Sequence, residues 1–328
     1  MSYPPITIAL TCYNAQNTVA RAIESALAQD WPNKEIIVCD DCSTDGSLKI
    51  LERYASEGAV TLLRHEVNRG VSAGRNAILR EAKGAYVAIF DDDDVSDPSR
   101  LTKQHQRLAA YEAEHPGAPV LCLTAIRIVG GRKHDTIRRS IGDCAPEPYG
   151  RALFRYLARC GKTRPFAWGD AQTHSAVWMA RRGVFLDLGG FDEALRRMED
   201  REFLMRFSEA GGHAISVAEP LVEYAYKTPG AEKSHSAIRD SQLRILAKHS
   251  KLLRSRGYYA EAWADLHVRH YRISGRPWRA RAFRVFRAIA RRFISPNMGE
   301  GDAGKIPGEL KWKKRLTPFS RFIKRFAG

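Results

Sequence analysis

Four aspartates in succession, Asp91 to Asp94, follow the apolar run Tyr86-Val87-Ala88-Ile89-Phe90. Like charges set this close repel one another and are costly to hold together without compensation. A divalent cation supplies it, and Mg2+ or Mn2+ suits carboxylate, water and phosphate oxygens. Two aspartates separated by one residue can meet such an ion directly or through water. The ion would then neutralise the charge that develops on a departing nucleotide diphosphate. The competing account is a solvated acidic turn; the buried character of the preceding segment, with acids beginning where it stops, favours the metal and phosphate reading.

Other residues offer complementary chemistry. Asp40-Asp41 closes the apolar run Glu35 to Cys39 and opens the turn Cys42-Ser43-Thr44-Asp45-Gly46. That turn can be a capped link between strand and helix, or its carboxylates can accept hydrogen bonds from a base N–H or a ribose hydroxyl, with Thr11 completing the pocket. Arg75, after Gly70-Val71-Ser72-Ala73-Gly74, can reach a phosphate, brace the acids or form a surface ion pair. Glu199-Asp200 follows GGFDEALRRM at the start of a helical stretch. A helix N-terminus stabilises an ionised carboxylate, and such a carboxylate can take a proton from an attacking hydroxyl; a simple N-cap uses the same residue type. Trp168 can stack on a sugar face or pack internally. His174, His213 and His235 have no metal-binding spacing, and His235 is the candidate for an extra phosphate or metal contact.

These residues need a scaffold that presents them together. Ile6 to Leu10 reads as a strand, Asn17 as the cap of a helix with Val19, Ala22, Ile23, Ala26 and Leu27 on one face, and Glu35 to Cys39 as the next strand. Strand, helix, strand in that order predicts a right-handed parallel crossover. The alternation continues through a helix at Ser47 to Tyr54, a strand at Val60 to Leu63, a helix at Ser72 to Ala82 and a strand at Tyr86 to Phe90. Both acid clusters then stand at carboxyl ends of strands, the ligand-binding edge of an open α/β sheet. Pro98 starts a long helix reaching about His115, Val120 to Val129 is extended, and Arg151 to Arg159 is helical. Val177 to Ala180 is a strand, Asp200 to Ala210 a helix, and two strands follow near Ile215 to Val217 and Val222 to Tyr226. From about His235 the pattern is helical, which divides the chain into residues 1–235 and a helical extension, 236–328.

As a set, the motifs resemble family 2 glycosyltransferases with a GT-A fold, a Rossmann-like, mixed and mostly parallel sheet flanked by helices. The resemblance spans about residues 5 to 235 and is strongest from 6 to 98. ITIALTCYNAQNTVARAIESALAQDWPNKEIIVCDDCSTDGS looks like the family's opening, which implies that Thr11 and Asp41 contact the donor base. GVSAGRNAIL carries the matching Arg75, and IFDDDDVSDP implies metal ligation by Asp91 and Asp93, with Asp92 near the donor ribose or sugar and Asp94 auxiliary. GGFDEALRRMEDREFLMRF places the family's catalytic base on Asp200, with Glu199 on the acceptor side. The resemblance further implies Mg2+ or Mn2+, a nucleotide-diphosphate sugar donor with UDP favoured, a glycan or lipid-linked acceptor, and inverting transfer in one displacement. The QxxRW-type segment of processive synthases is not displayed, which favours formation of a single linkage. A sugar-phosphate nucleotidyltransferase and a nucleotide-sugar diphosphohydrolase are the enzymatic alternatives; a membrane adaptor or polyanion-binding module is the non-enzymatic one.

Charge separates the two parts of the chain. The formal net charge is +16, yet residues 241 to 328 carry 22 Lys or Arg against five acids, which leaves a balance of −1 for residues 1 to 240. A catalytic domain that tracked nucleic acid would carry positive charge around its own cleft, so no nucleic-acid partner is expected. The basic stretches Arg281 to Ile294, with Ala282, Phe286, Ile289 and Phe293 on one side, and Trp312 to Phe326 read as amphipathic helices suited to an anionic membrane surface, or to packing and oligomerisation. No apolar run is long enough to span a bilayer and no secretory leader is apparent, so the expectation is cytoplasmic, peripheral on the inner face of the membrane. Of six cysteines, Cys39 and Cys42 have CxxC spacing with no second pair, and incidental thiols of a reducing compartment are the plainer account.

Overall fold

An apolar strand needs cover on both faces, and the N-terminal half provides it by alternating strands with amphipathic helices. β1 (Ile6–Cys12) pairs in parallel with β2 (Lys34–Asp40) and with β4 (Tyr86–Asp91), and β2 pairs in parallel with β3 (Thr61–Arg64). The connections are α1 (Val19–Leu27), α2 (Ser47–Ser56) and α3 (Val71–Glu81). Val19, Ala22, Ile23 and Ala26 of α1 and Leu51 and Tyr54 of α2 are buried in one cluster with Ile6, Ile8, Leu10, Ile36 and Val38. The computed structural model describes residues 3–130, 135–158, 172–225, 235–255 and 257–289. Trp168 and the stretch Trp312 to Phe326 lie outside them, as does the side chain of His235.

After β4 come β5 (Val95–Ser96), α4 (Arg100–Glu114), β6 (Val120–Val129), β7 (Thr136–Arg138) and α5 (Gly150–Ala158). They are followed by β8 (Met179–Arg181), α6 (Arg182–Asp187), α7 (Glu199–Glu209) and β9 (His213–Ala225). The described strands form one sheet in the order β3-β2-β1-β4-β8-β6-β9-β5, with β7 on β6. Its long pairings, including β6 with β9, are parallel; β8, β7 and β5 add short antiparallel ones. The result is the mixed, mostly parallel α/β sheet expected.

Several boundaries differ from the sequence-based expectations for local reasons. Thr18, rather than Asn17, precedes α1, and it makes no side-chain cap. Pro98 lies before α4, whose capping position is Ser99. Val177 belongs to a short 3-10 turn, so β8 begins only at Met179. The two strands expected near Ile215 and Val222 are one strand, β9, interrupted by a register shift opposite Thr124 and Ala125. The Thr124 hydroxyl fills that irregularity, donating to the Glu219 carbonyl at 2.6 Å and accepting from Leu221 N–H at 3.3 Å. A bulge satisfied by a side chain lets the strand continue past Pro220, which breaks the alternation in sequence.

The chain forms two compact units, Met1–Leu157 with Gly161–Ala237, and Ile238–Gly328 with Ala158–Cys160. In the second, α10 (Tyr259–Ile273) packs on α11 (Pro277–Ile289), after α8 (His235–Lys248) and α9 (Ser250–Ser255). Phe286, expected to meet either a membrane or a packing partner, is buried against Ala264 with Trp263 beside it. No helix among the described residues is long and apolar enough to cross a membrane.

The junction between α3 and β4 sets where β4 begins. Glu35 Oε1 accepts from Thr7 Oγ1 at 2.5 Å, Lys83 N–H at 2.7 Å and Gly84 N–H at 3.1 Å. A Cβ on Gly84 would fall 2.5 Å from the Thr7 backbone nitrogen, so the close approach requires glycine. Gly84→Ala is expected to destabilise the protein by about 2–4 kcal/mol, read from urea unfolding; a change within about 0.5 kcal/mol would show that the junction yields.

Candidate active site

Sheet register brings the acids to one edge. Thr11 stands opposite Cys39 on β2 and Asp91 on β4, and Cys12 opposite Asp40, so three parallel strands finish side by side. The loop after β1 is stitched to the loop after β2. Asn14 N–H donates to Ser43 Oγ at 3.0 Å, Thr44 N–H to Asn14 Oδ1 at 2.8 Å, and Ala15 N–H to Ser47 Oγ at 2.7 Å. Tyr13 N–H donates to Asp92 Oδ2 at 3.0 Å, which ties the acidic run after β4 into the same frame.

The two aspartates after β2 behave differently. Asp41, only 4% exposed, accepts at Oδ1 from Arg69 N–H at 2.8 Å with His65 Nδ1 at 2.7 Å, and at Oδ2 from Gly70 N–H at 2.7 Å. It thereby fixes the turn that starts α3, where Gly70 adopts φ +88°. Asp40 accepts from Ser43 N–H through Oδ2 at 3.1 Å, while its buried Oδ1 has no hydrogen-bond partner.

Arg75, on α3 and 3% exposed, joins the remote motifs. One terminal nitrogen lies 3.1 Å from Asp91 Oδ1 and the other 2.8 Å from Glu199 Oε1. Burial disfavours its charge, but Asp91, Glu199 and Asp200 outweigh that and hold its pKa above the usual value. A surface ion pair, one of the roles open to Arg75 from sequence, is therefore replaced by a buried bridge. The neighbouring Asn76 grips the loop before α7, donating to the Phe191 carbonyl at 2.8 Å and to Glu193 Oε1 at 3.0 Å, and accepting from Phe191 N–H at 2.8 Å. α3 thus delivers Glu199 and Asp200 to the end of β4.

The site holds more negative charge than its cations neutralise. Burial raises the pKa of Asp91, Glu199 and Asp200, against the opposing pull of Arg75. For Asp94, 5% exposed, burial followed by the charges of Asp91 and Asp93 pushes the pKa up to about 8. Neither Asp94 oxygen has a hydrogen-bond partner. Asp91, Asp93 and Asp94 each offer an oxygen within 4.8 Å of the others. Hard carboxylate oxygens grouped this closely fit a small divalent cation, and Asp94 joins the expected pair in that donor set.

Sequence reading missed Arg100 and His65. Arg100 is fully buried behind the cluster, donating to Gln104 Oε1 at 3.0 Å, Ser96 Oγ at 2.9 Å and the Ile89 carbonyl at 2.9 Å, with its guanidinium 4.2 Å from the centre of the Phe90 ring. Burial lowers its pKa to about 9, against the attraction of Asp94 and Asp91. A basic residue opening a helix opposes the helix dipole, and that was the available signal. His213 serves packing, stacked on Tyr149 with Nδ1 2.9 Å from the Tyr111 hydroxyl. Cys39 and Cys42 are free thiols.

Backbone strain clusters here too. Among the described residues, positive φ at non-glycine positions occurs at Asn14, Cys42 and Met198. They lie in the loop after β1, beside Asp41, and immediately before Glu199. Each costs on the order of 1–3 kcal/mol and persists where surrounding contacts enforce it.

The model of "Glycosyl transferase family 2" matches residues 7–170. The putative glycosyltransferase EpsE of Bacillus subtilis is 32% identical over 225 residues, covering 67% of this chain and 72% of its own. WfaP of Escherichia coli, described as a UDP-Glc:alpha-D-GlcNAc-diphosphoundecaprenol beta-1,3-glucosyltransferase, is 33% identical over 99 residues, 30% of this chain and 39% of its own. Among solved structures, the mannosyltransferase PcManGT from Pyrobaculum calidifontis in complex with GDP-Man and Mn2+ superposes with TM-score 0.55 at 20% identity, covering 99% of this chain and 81% of its own.

A carboxyl group with a raised folded pKa binds its proton more tightly when folded, so stability falls as pH rises from the unfolded value towards the folded one. For Asp94 that window runs from about 4 to about 8. Metal-free protein is expected to lose melting temperature across it, and Asp94→Asn to flatten the loss; parallel curves for both proteins would contradict the buried-charge account.

Proposed function

Because the chain belongs to glycosyl transferase family 2 and has the GT-A α/β fold, we propose that it moves one sugar from a nucleotide-diphosphate donor, UDP-linked by preference, to a hydroxyl of a glycan or lipid-linked glycan, with inversion. The observation that carries this reading is the bridge from Asp91 through Arg75 to Glu199, which sets the acidic run beside Asp200.

Thr11 and Asp41 face the donor base in this reading; Asp41 Oδ2, which accepts a bond from Gly70 N–H, keeps further acceptor capacity. Asp92 lies toward the ribose or sugar. Asp91, Asp93 and Asp94 would hold Mg2+ or Mn2+, which when bound offsets charge on the diphosphate leaving group. Asp200 takes the proton of the acceptor hydroxyl as that oxygen bonds to the anomeric carbon. The bond from that carbon to the diphosphate breaks on the opposite face, and the electron pair leaves with the diphosphate. Burial raises the Asp200 pKa, which makes it a stronger base than an exposed aspartate. The activity described for WfaP uses a UDP-glucose donor and a diphosphoundecaprenol-linked acceptor. A related acceptor would place this enzyme on the cytoplasmic face of a membrane, where nucleotide sugars are made.

Folded Asp200→Asn protein is expected to lose about 10²- to 10⁴-fold in kcat with a panel of nucleotide sugars and acceptors, and the wild-type product to show inverted anomeric configuration. Full turnover by Asp200→Asn would remove the base assignment. Pyrophosphate release from a nucleoside triphosphate would favour nucleotidyl transfer, and donor cleavage independent of acceptor would favour a diphosphohydrolase.

A further inference from the structure

α11 has two faces, and among the described residues only one packs within its own unit. Ala280, Phe283 and Phe286 are buried against α10, where Trp263, Ala264, Val268 and Tyr271 meet them. On the opposite side Trp278 is 57% and Val285 60% exposed. Seven residues fall only about 20° short of two helical turns, so these two side chains form one outward ridge. Ile273, 44% exposed, adds apolar surface at the end of α10, four residues before α11 begins.

The charges on α11 divide in the same way. Arg287 is ion-paired with Asp265, and Arg279 lies 5.4 Å from the centre of the Tyr271 ring. Arg281 and Arg284 are exposed, on the side of Trp278 and Val285, and have no carboxylate partner among the described residues. No acidic residue occurs anywhere in PWRARAFRVFRAI.

An exposed tryptophan and aliphatic residue flanked by unpaired arginines suit an interface that is apolar inside and anionic at its surface. A nucleic-acid backbone would use the arginines but gives Val285 nothing to bury. A two-fold contact between copies of this face would set Arg281 and Arg284 against their own equivalents without acids to offset them. We propose that the outward face of α11, built on Trp278, Val285, Arg281 and Arg284, rests on an anionic lipid bilayer, with the indole at the headgroup level. None of the acidic residues belongs to this face, and lipid binding is measurable without donor or acceptor.

The full chain should co-sediment with vesicles containing phosphatidylglycerol and much less with pure phosphatidylcholine vesicles. Arg281→Gln with Arg284→Gln should weaken anionic-vesicle binding by about thirtyfold, the product expected for two surface charges. Brominated lipid should quench tryptophan fluorescence of the wild type, and Trp278→Ser should remove most of that quenching while five other tryptophans remain. Binding and quenching unchanged in Trp278→Ser with Val285→Ser would overturn the proposal. So would lipid-free dimerisation that needs these residues in a protein that ignores vesicles, or binding to heparin alone. Since the four residues lie outside the acidic site, transfer to a water-soluble acceptor should be preserved in every variant; its loss would contradict a docking role. If the protein transferred no sugar at all, the vesicle measurements would still decide the proposal.

Discussion

A guanidinium held out of water needs anions, and Arg75 takes them from two elements more than a hundred residues apart in sequence, Asp91 at the end of β4 and Glu199 at the start of α7. Breaking a buried pair of this kind costs about 3–5 kcal/mol, so the arrangement constrains everything around it. α3 must lie close to β1, and Gly74 permits this, since a Cβ there would come within 2.9 Å of Thr11 Cγ2. The loop before α7 must reach back to α3, and Asn76 holds it by hydrogen bonds to Phe191 and Glu193. Met198, in the left-handed region, turns the chain into the helix that carries Asp200.

Arg75 organises the site but does not neutralise it. Arg100 adds a second buried cation beneath the acids, yet its own pKa is lowered by burial, and Asp94 keeps two oxygens without a hydrogen-bond partner. Such a cluster is destabilising by itself. A protein that retains it draws on favourable packing elsewhere, here the continuous core of β1, β2, β4, α1 and α2. On the proposed function, the excess charge would let the region hold a divalent cation facing a diphosphate, and the burial that raises the Asp200 pKa would make it a better proton acceptor.

What sequence could reveal followed how local each signal was. The first four strands and the helices between them were legible because each is a short apolar run bounded by turn residues, and the acids at strand ends stood out as a contiguous motif. β9 was read as two strands because Glu219-Pro220 breaks the alternation, while the Thr124 hydroxyl that bridges the gap lies 95 residues away. Arg100 carries no reading from sequence because nothing local reports its burial beyond a basic residue at a helix start. The stripe with Phe286 reads from sequence as either membrane-facing or packed, because helical spacing identifies an apolar stripe without saying what covers it; α10 covers that one and leaves Trp278 and Val285 outside. Asp41 reads from sequence as a nucleotide contact or part of a capped turn, and its contacts with His65, Arg69 and Gly70 show a structural role that a motif cannot express.

On the proposed function, Asp91, which Arg75 holds by an ion pair, forms with Asp93 and Asp94 one site for a divalent cation and a nucleotide diphosphate. Crystals of the protein grown with UDP and Mn2+, measured at the manganese absorption edge, test it directly. The account predicts an anomalous peak between these carboxylates, within coordination distance of Asp93 and of a diphosphate oxygen. Bound UDP with no peak there, its diphosphate held by basic side chains alone, would contradict it.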